Sequence, residues 1–282
     1  MRFTLQIFAF LVLCLGHAHT PALAQMPLDA RVVMSGHSLT DPIPDMLRPM
    51  VQAMGARAAV IDRSTIPGSP MDWRWNNTAQ PVDARSDIAN YDLLVLTERV
   101  PLLNTMGYHN SAEEALRWVR HAWENGAQTV LYATWITRDT GPGSGDDTAE
   151  GHMPFRERLQ VEQDRWLEIR DHVNSHRPDG MPEMRMIPGP RLMTALYDAI
   201  SAGQAPGLAS IDALFRDDIH VNDLGAYVLA LAHYTVIYDR SPLDVPLGLG
   251  RTPTPDPELA RWLQQFVADV VAQAPEAGVS MR

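Results

Sequence analysis

Three side chains stand out as able to act together on a carbonyl. Ser38 lies in Met34-Ser35-Gly36-His37-Ser38-Leu39-Thr40-Asp41, between an apolar run and a proline-flanked amphipathic segment. A serine hydroxyl is a weak nucleophile until a base takes its proton. Placed on a strand-to-helix turn it is exposed at the sheet edge, where backbone N–H groups can converge on a developing oxyanion. Far downstream, Asp217-Asp218-Ile219-His220-Val221-Asn222 precedes a long apolar segment. His220 can accept the Ser38 proton, and an acid nearby can fix the imidazole tautomer and stabilise its charged form. Asp217 and Asp218 compete for that role. The three-residue spacing aims both side chains the same way on one turn, which favours Asp217.

The surrounding pattern supplies elements to hold these groups. Strands are predicted over residues 31–35, 58–61, 92–96, 129–133 and 184–187, the third uniformly apolar and so buried on both faces. Helices are predicted over 41–54, from 111 to Gly126, and over 154–176, 190–201, 223–238 and 258–272. Ser111 followed by Glu114 reads as a capping box. Alternating strands and helices predict an α/β fold, a three-layer α/β/α sandwich with a mostly parallel sheet of about five strands. Such sheets place their sites at the strands' carboxyl ends. Two loops are long enough to shape a site: 64–85, carrying Trp73 and Trp75, and 137–153, glycine-rich and acidic.

Residues 1–24 read differently. Arg2, an apolar run from Phe8 to Leu15 and the small-x-small ending Ala22-Leu23-Ala24 form a secretory signal-peptide pattern. The run is too short to span roughly 30 Å of hydrocarbon, so export without a stable membrane span after cleavage is expected. Cys14, the single cysteine, lies in that leader, so the mature chain has no disulfide and relies on an ordinary core. Removing the leader leaves roughly 250 residues, ample for one core. Residues 25–240 are expected to form the main domain, and 241–282 a proline-rich tether followed by a helix packing back on it. With 34 acidic against 23 basic residues the net charge is −11, which argues against a nucleic-acid partner. Oligomeric state is left open.

Gly36-His37-Ser38-Leu39 and Asp217-x-x-His220 resemble the first and last blocks, G-[D/N/H]-S-[L/F] and D-x-x-H, of the SGNH (GDSL-like) hydrolase superfamily. The resemblance covers residues 30–238 and implies a flavodoxin-like fold with Ser38, Asp217 and His220 as a triad. It implies a metal- and cofactor-independent ester hydrolase, and the expected substrate is a small acyl ester, such as acetyl on a carbohydrate. Acyl transfer on the same scaffold, or carbohydrate binding without turnover, are the alternatives. By the same resemblance a glycine after the second strand donates to the oxyanion, here Gly68. The block G-x-N-D after the third strand has no match: Thr97-Glu98-Arg99-Val100 stands there. Asn104 is the replacement candidate, with Asn76, Asn77 and Asn110 as rivals.

Other motifs read as less pointed. Trp73 and Trp75 could stack on a sugar or fill a loop core. His172 and His176 have metal-ligand spacing but no evident third ligand, so a solvated face is the expectation. Gly141-Pro142-Gly143-Ser144-Gly145 lacks the Lys-Ser/Thr ending of a phosphate loop.

Overall fold

The computed structural model describes residues 25–141, 148–247 and 255–281. Residues 1–24, expected from their pattern to be a leader, most of the glycine-rich run and the middle of the proline-rich tether lie outside the described residues.

Five strands form one sheet: β1 (Arg31–Gly36), β2 (Val60–Thr65), β3 (Leu93–Leu96), β4 (Gln128–Ala133) and β5 (Arg185–Pro188). All neighbours pair in parallel, in the order β2-β1-β3-β4-β5. That is the flavodoxin-like order, whose reversal of direction beside β1 opens a crevice at the carboxyl ends of β1 and β3. Among the described residues eight α-helices accompany it: α1 (Ile43–Ala53), α2 (Met71–Asn76), α3 (Leu102–Thr105), α4 (Ser111–Glu124), α5 (Phe155–His176), α6 (Gly189–Ser201), α7 (Asp223–Tyr238) and α8 (Pro257–Ala272).

Strand alternation decides which helices pack where. Val32 and Met34 face one layer with α1, α6, α7 and α8, while Val33 faces the other with Trp118 of α4 and Trp166 of α5. Helix α7 is apolar around its whole circumference and buried from Gly225 to Tyr238. It packs between the sheet, α1 and α8, which is where an all-round apolar helix must lie.

Three local expectations are corrected. The second strand begins two residues later and runs through Asp62-Arg63-Ser64-Thr65. Asp29 Oδ1 takes the N–H groups of Arg57 and Ala58 at 2.7 and 3.2 Å, and as an edge strand β2 tolerates polar residues facing water. The 64–85 loop contains α2, and α3 follows β3, neither of which a short apolar count reveals. The capping box does not form either. Left-handed Asn110 (φ +50°) occupies the cap and Ser111 is already helical, with no side-chain capping bond.

Candidate active site

The turn that carries Ser38 is set by steric demand. After β1 the chain reverses through Thr40 N–H to His37 O at 2.8 Å and Asp41 N–H to Ser38 O at 3.4 Å, before α1 begins. A Cβ on Gly36 would lie 2.1 Å from Thr40 Oγ1, so only glycine lets the turn fold this tightly against the strand end. Ser38 is lifted to the surface of a cleft of about 160 Å³ lined by Leu39, Pro42, Arg216, His220 and Val221.

The facing loop is equally constrained. Phe215 and Val221 form an antiparallel bridge, and Arg216 N–H donates to His220 O at 2.9 Å. Asn222 caps α7, its Oδ1 accepting from Leu224 and Gly225 N–H at 3.0 and 3.2 Å. From beneath, Trp135 Nε1 donates to Ile219 O at 2.7 Å and Arg138 Nη2 to Asp217 O at 2.9 Å. The segment after β4 therefore props the whole loop. Sequence reasoning missed both props, because a bond to a carbonyl some 80 residues away leaves no local pattern.

His220 Nε2 lies 2.9 Å from Ser38 Oγ. Its Nδ1 lies 2.9 Å from Asp217 Oδ2 and 3.1 Å from Oδ1. Asp217 Oδ1 also accepts the N–H groups of His220 and Ile219, at 2.7 and 3.0 Å. Those donors and the His220 ring hold the carboxylate down to a pKa of about 2, so it is ionised at neutral pH. Asp218 makes no side-chain contact with His220; its backbone carbonyl accepts from Arg138 N–H at 2.8 Å. Of the two acids, Asp217 is the one whose side chain meets the His220 ring. A serine hydroxyl on one imidazole nitrogen and an anionic carboxylate on the other can generate a nucleophile at neutral pH.

The residues expected on the oxyanion side lie apart from one another. Gly68 sits in the turn after β2 with φ +65°, and that turn is tied to the end of β1 by Ile66 N–H donating to Gly36 O at 3.1 Å. Asn104 is exposed on α3, bonds to neither Ser38 nor His220, and does not line their cleft. Asn76 and Asn77 turn their amides back to Asp72 O and Trp73 O at 2.8 and 2.9 Å. Asn110 is spent as the left-handed cap.

Where the asparagine block was expected, Glu98 points inward and is fully buried. Its Oε1 accepts the N–H groups of Met71 and Arg99 at 2.9 and 2.7 Å. Burial pushes its pKa above the carboxylate range, while Arg74 beside it pulls the other way. Arg74 is itself buried. Its guanidinium reaches Ser35 Oγ at 3.1 Å, Ser69 Oγ at 3.2 Å, and the carbonyls of Ser69 and Thr97. Desolvation lowers its pKa to about 10, still well charged at pH 7. One cation thus ties the ends of β1 and β3 to the turn that carries Gly68. No sequence signal marked it.

Of the two loop tryptophans, Trp75 is structural: it packs edge-on to Trp118 at 5.2 Å, and the Arg117 guanidinium lies 4.0 Å from its ring centre. Trp73 is 54 % exposed and free to meet a ligand. His172 stacks on His176 at 4.3 Å and faces Glu113 on α4.

The fold that brings Ser38 to the crevice of the sheet recurs in solved proteins of low sequence identity. It is similar to a solved DUF4886 family protein from Bacteroides uniformis, with a TM-score of 0.66 at 15% identity, covering 89% of this chain and 97% of that one. A protein assigned as an SGNH hydrolase from Slackia heliotrinireducens superposes with a TM-score of 0.50 at 21% identity, over 72% and 96% of the two chains. The acetyl xylan esterase AlAXEase gives 0.50 at 14% identity, over 73% and 99%. No protein-family model matches the sequence, and no curated protein does.

Proposed function

We propose that the chain is an exported serine ester hydrolase that removes small acyl groups, acetyl foremost, from a carbohydrate or similar alcohol. One observation carries the reading: the 2.9 Å contact of Ser38 Oγ with His220 Nε2, on a ring whose other nitrogen faces ionised Asp217. In this mechanism His220 takes the Ser38 proton as Oγ adds to the ester carbonyl. Asp217 stabilises the imidazolium. The N–H groups of Ser38 and Gly68, which meet no acceptor among the described residues, hold the oxyanion. As the tetrahedral intermediate collapses, His220 protonates the departing alkoxide. It then takes a proton from a water that adds to the acyl carbonyl, and returns that proton to Ser38 Oγ as the acyl group leaves as the free acid.

The substrate side rests on three supports. The cleft beside Ser38 is small, which suits a short acyl chain. Trp73 presents an open aromatic face, suited to a sugar ring. One solved protein of similar fold is an acetyl xylan esterase. Export rests on the leader pattern of residues 1–24. Hydrolysis of p-nitrophenyl acetate tests the core of the reading: Ser38→Ala is expected to lower kcat by roughly 10⁴-fold or more. Undiminished turnover in that variant would overturn it.

A further inference from the structure

His37 adjoins Ser38 yet exchanges no proton in the reaction described above. Its ring is 4 % exposed, and both nitrogens are taken by backbone. Nε2 lies 2.9 Å from the Glu98 carbonyl oxygen, and Nδ1 lies 3.4 Å from the Leu39 nitrogen. A carbonyl can only accept and an amide N–H can only donate. Together they require one form of the ring, neutral with its proton on Nε2. Burial, with the Arg74 charge next in weight, favours the same form by lowering the pKa to about 4.

The two bonds do different things. The Leu39 bond joins a side chain to the N–H two residues on, the pattern by which Asp and Asn close an Asx-turn. It curves the backbone around Ser38 and removes Leu39 N–H from competition, leaving Ser38 N–H as the donor this turn offers to an oxyanion. The Glu98 bond crosses from the end of β1 to the segment after β3 and joins the turn to the buried Arg74–Glu98 network.

We infer that His37 is a positioning residue for Ser38, its imidazole acting as a two-ended clip on the backbone. The inference rests on the ester-hydrolase reading. Three variants separate the two ends of the clip. His37→Asn retains an acceptor for Leu39 N–H and loses the reach to Glu98. His37→Phe keeps the ring and loses both bonds, and His37→Ala loses the ring as well.

On p-nitrophenyl acetate, His37→Phe is expected to lower kcat by about 100-fold, the scale of a misplaced reacting group, with KM nearly unchanged. His37→Asn is expected to recover most of that loss while its melting temperature falls as far as that of the Phe variant. If kcat merely follows melting temperature across the three variants, or if His37→Phe turns over like the parent, the positioning role is overturned. A second measurement is independent of turnover. ¹⁵N NMR of the parent should show His37 neutral, protonated on Nε2 and slow to exchange between pH 5.5 and 8. A ring titrating near the ordinary histidine pKa of about 6.5 removes the clip whether or not the chain hydrolyses esters. Loss of all Ser38-dependent hydrolysis in the parent, with the NMR signature intact, refutes the enzyme reading alone.

Discussion

The two flanks of the Ser38 cleft are held by opposite means. On the Ser38 and His220 flank the bonds that place individual side chains are short in sequence: His37 to Leu39, Asp217 to Ile219 and His220, and Asn222 to Leu224 and Gly225, with the Trp135 and Arg138 props as the long-range exceptions. On the Gly68 flank they are long. Arg74 binds Ser35 and Thr97, and Glu98 accepts from Met71. Local bonds form with little loop-closure cost and place individual atoms. Buried long-range charges need the whole fold to be in place, and without their partners they are costly to keep dry. A substitution that breaks only local bonds of the first flank should therefore cost activity and spare the fold, and one that breaks long-range bonds should cost both.

The largest expected effect tests the first half of that statement. In Asp217→Asn the amide oxygen can still accept the Ile219 and His220 N–H groups, so the turn survives. The anionic partner of the imidazole is lost, and kcat should fall by about 10⁴-fold while the melting temperature barely moves. A collapse in stability instead would show that this flank too is held by charge.

Arg74→Met tests the second half. It strands the Ser69 and Thr97 carbonyls and leaves Glu98 without its cation, so urea denaturation should register a loss of about 3–5 kcal/mol. Activity should fall well before unfolding, because the turn bearing Gly68 is released.

A third site calibrates both flanks against the core. His233 lies on α7, fully buried, with Nδ1 donating to Leu229 O at 2.8 Å, and burial lowers its pKa from 6.5 to about 4. The unfolded chain then binds the extra proton below pH 6.5 and the folded chain does not. His233 therefore supports the fold fully above that pH and loses its contribution as pH falls toward 4. In His233→Leu, stability relative to the parent should improve by about 2 kcal/mol between pH 7.5 and pH 5, with kcat at pH 7.5 unchanged. A flat difference across that range would place the ring in contact with water.

The smallest effect is on Asn104. Its exposed position away from the cleft predicts that Asn104→Ala leaves kcat within about twofold and stability within about 0.5 kcal/mol. A hundredfold loss of kcat would restore the asparagine as an oxyanion donor and redraw the Gly68 flank.

The same division explains what could be read in the sequence. The parallel sheet, six of the helices, the placement of Ser38 just after the first strand and the pairing of His220 with Asp217 were legible, because each rests on a local period or a local spacing. Helices α2 and α3 were not, and the reason is visible in their first N–H groups. Prolines precede both, and neither has a side-chain cap of its own. Met71 N–H is taken by Glu98 at 2.9 Å, and Leu102 N–H by Glu162 at 2.8 Å, from another helix altogether. Burial raises the Glu162 pKa to about 7, so the acid is held there by the fold and leaves no cue beside α3. The edge strand β2 was partly missed because the polar run Asp62-Arg63-Ser64-Thr65, with Arg63 exposed, breaks the apolar pattern.

Helix α7 has a consequence for how this molecule fails. The loop that carries His220 is fastened to its first turn through Asn222, and a Cβ on Gly225 would lie only 2.4 Å from Leu214 O, so loop and helix meet without slack. Because α7 is enclosed on every side, its amides can exchange with deuterium only when the whole domain opens. The imidazole is thus moored through Asn222 to a helix buried from Gly225 to Tyr238. On heating, residual hydrolysis should then decline together with global melting, without an earlier phase in which the base drifts away from an otherwise intact fold.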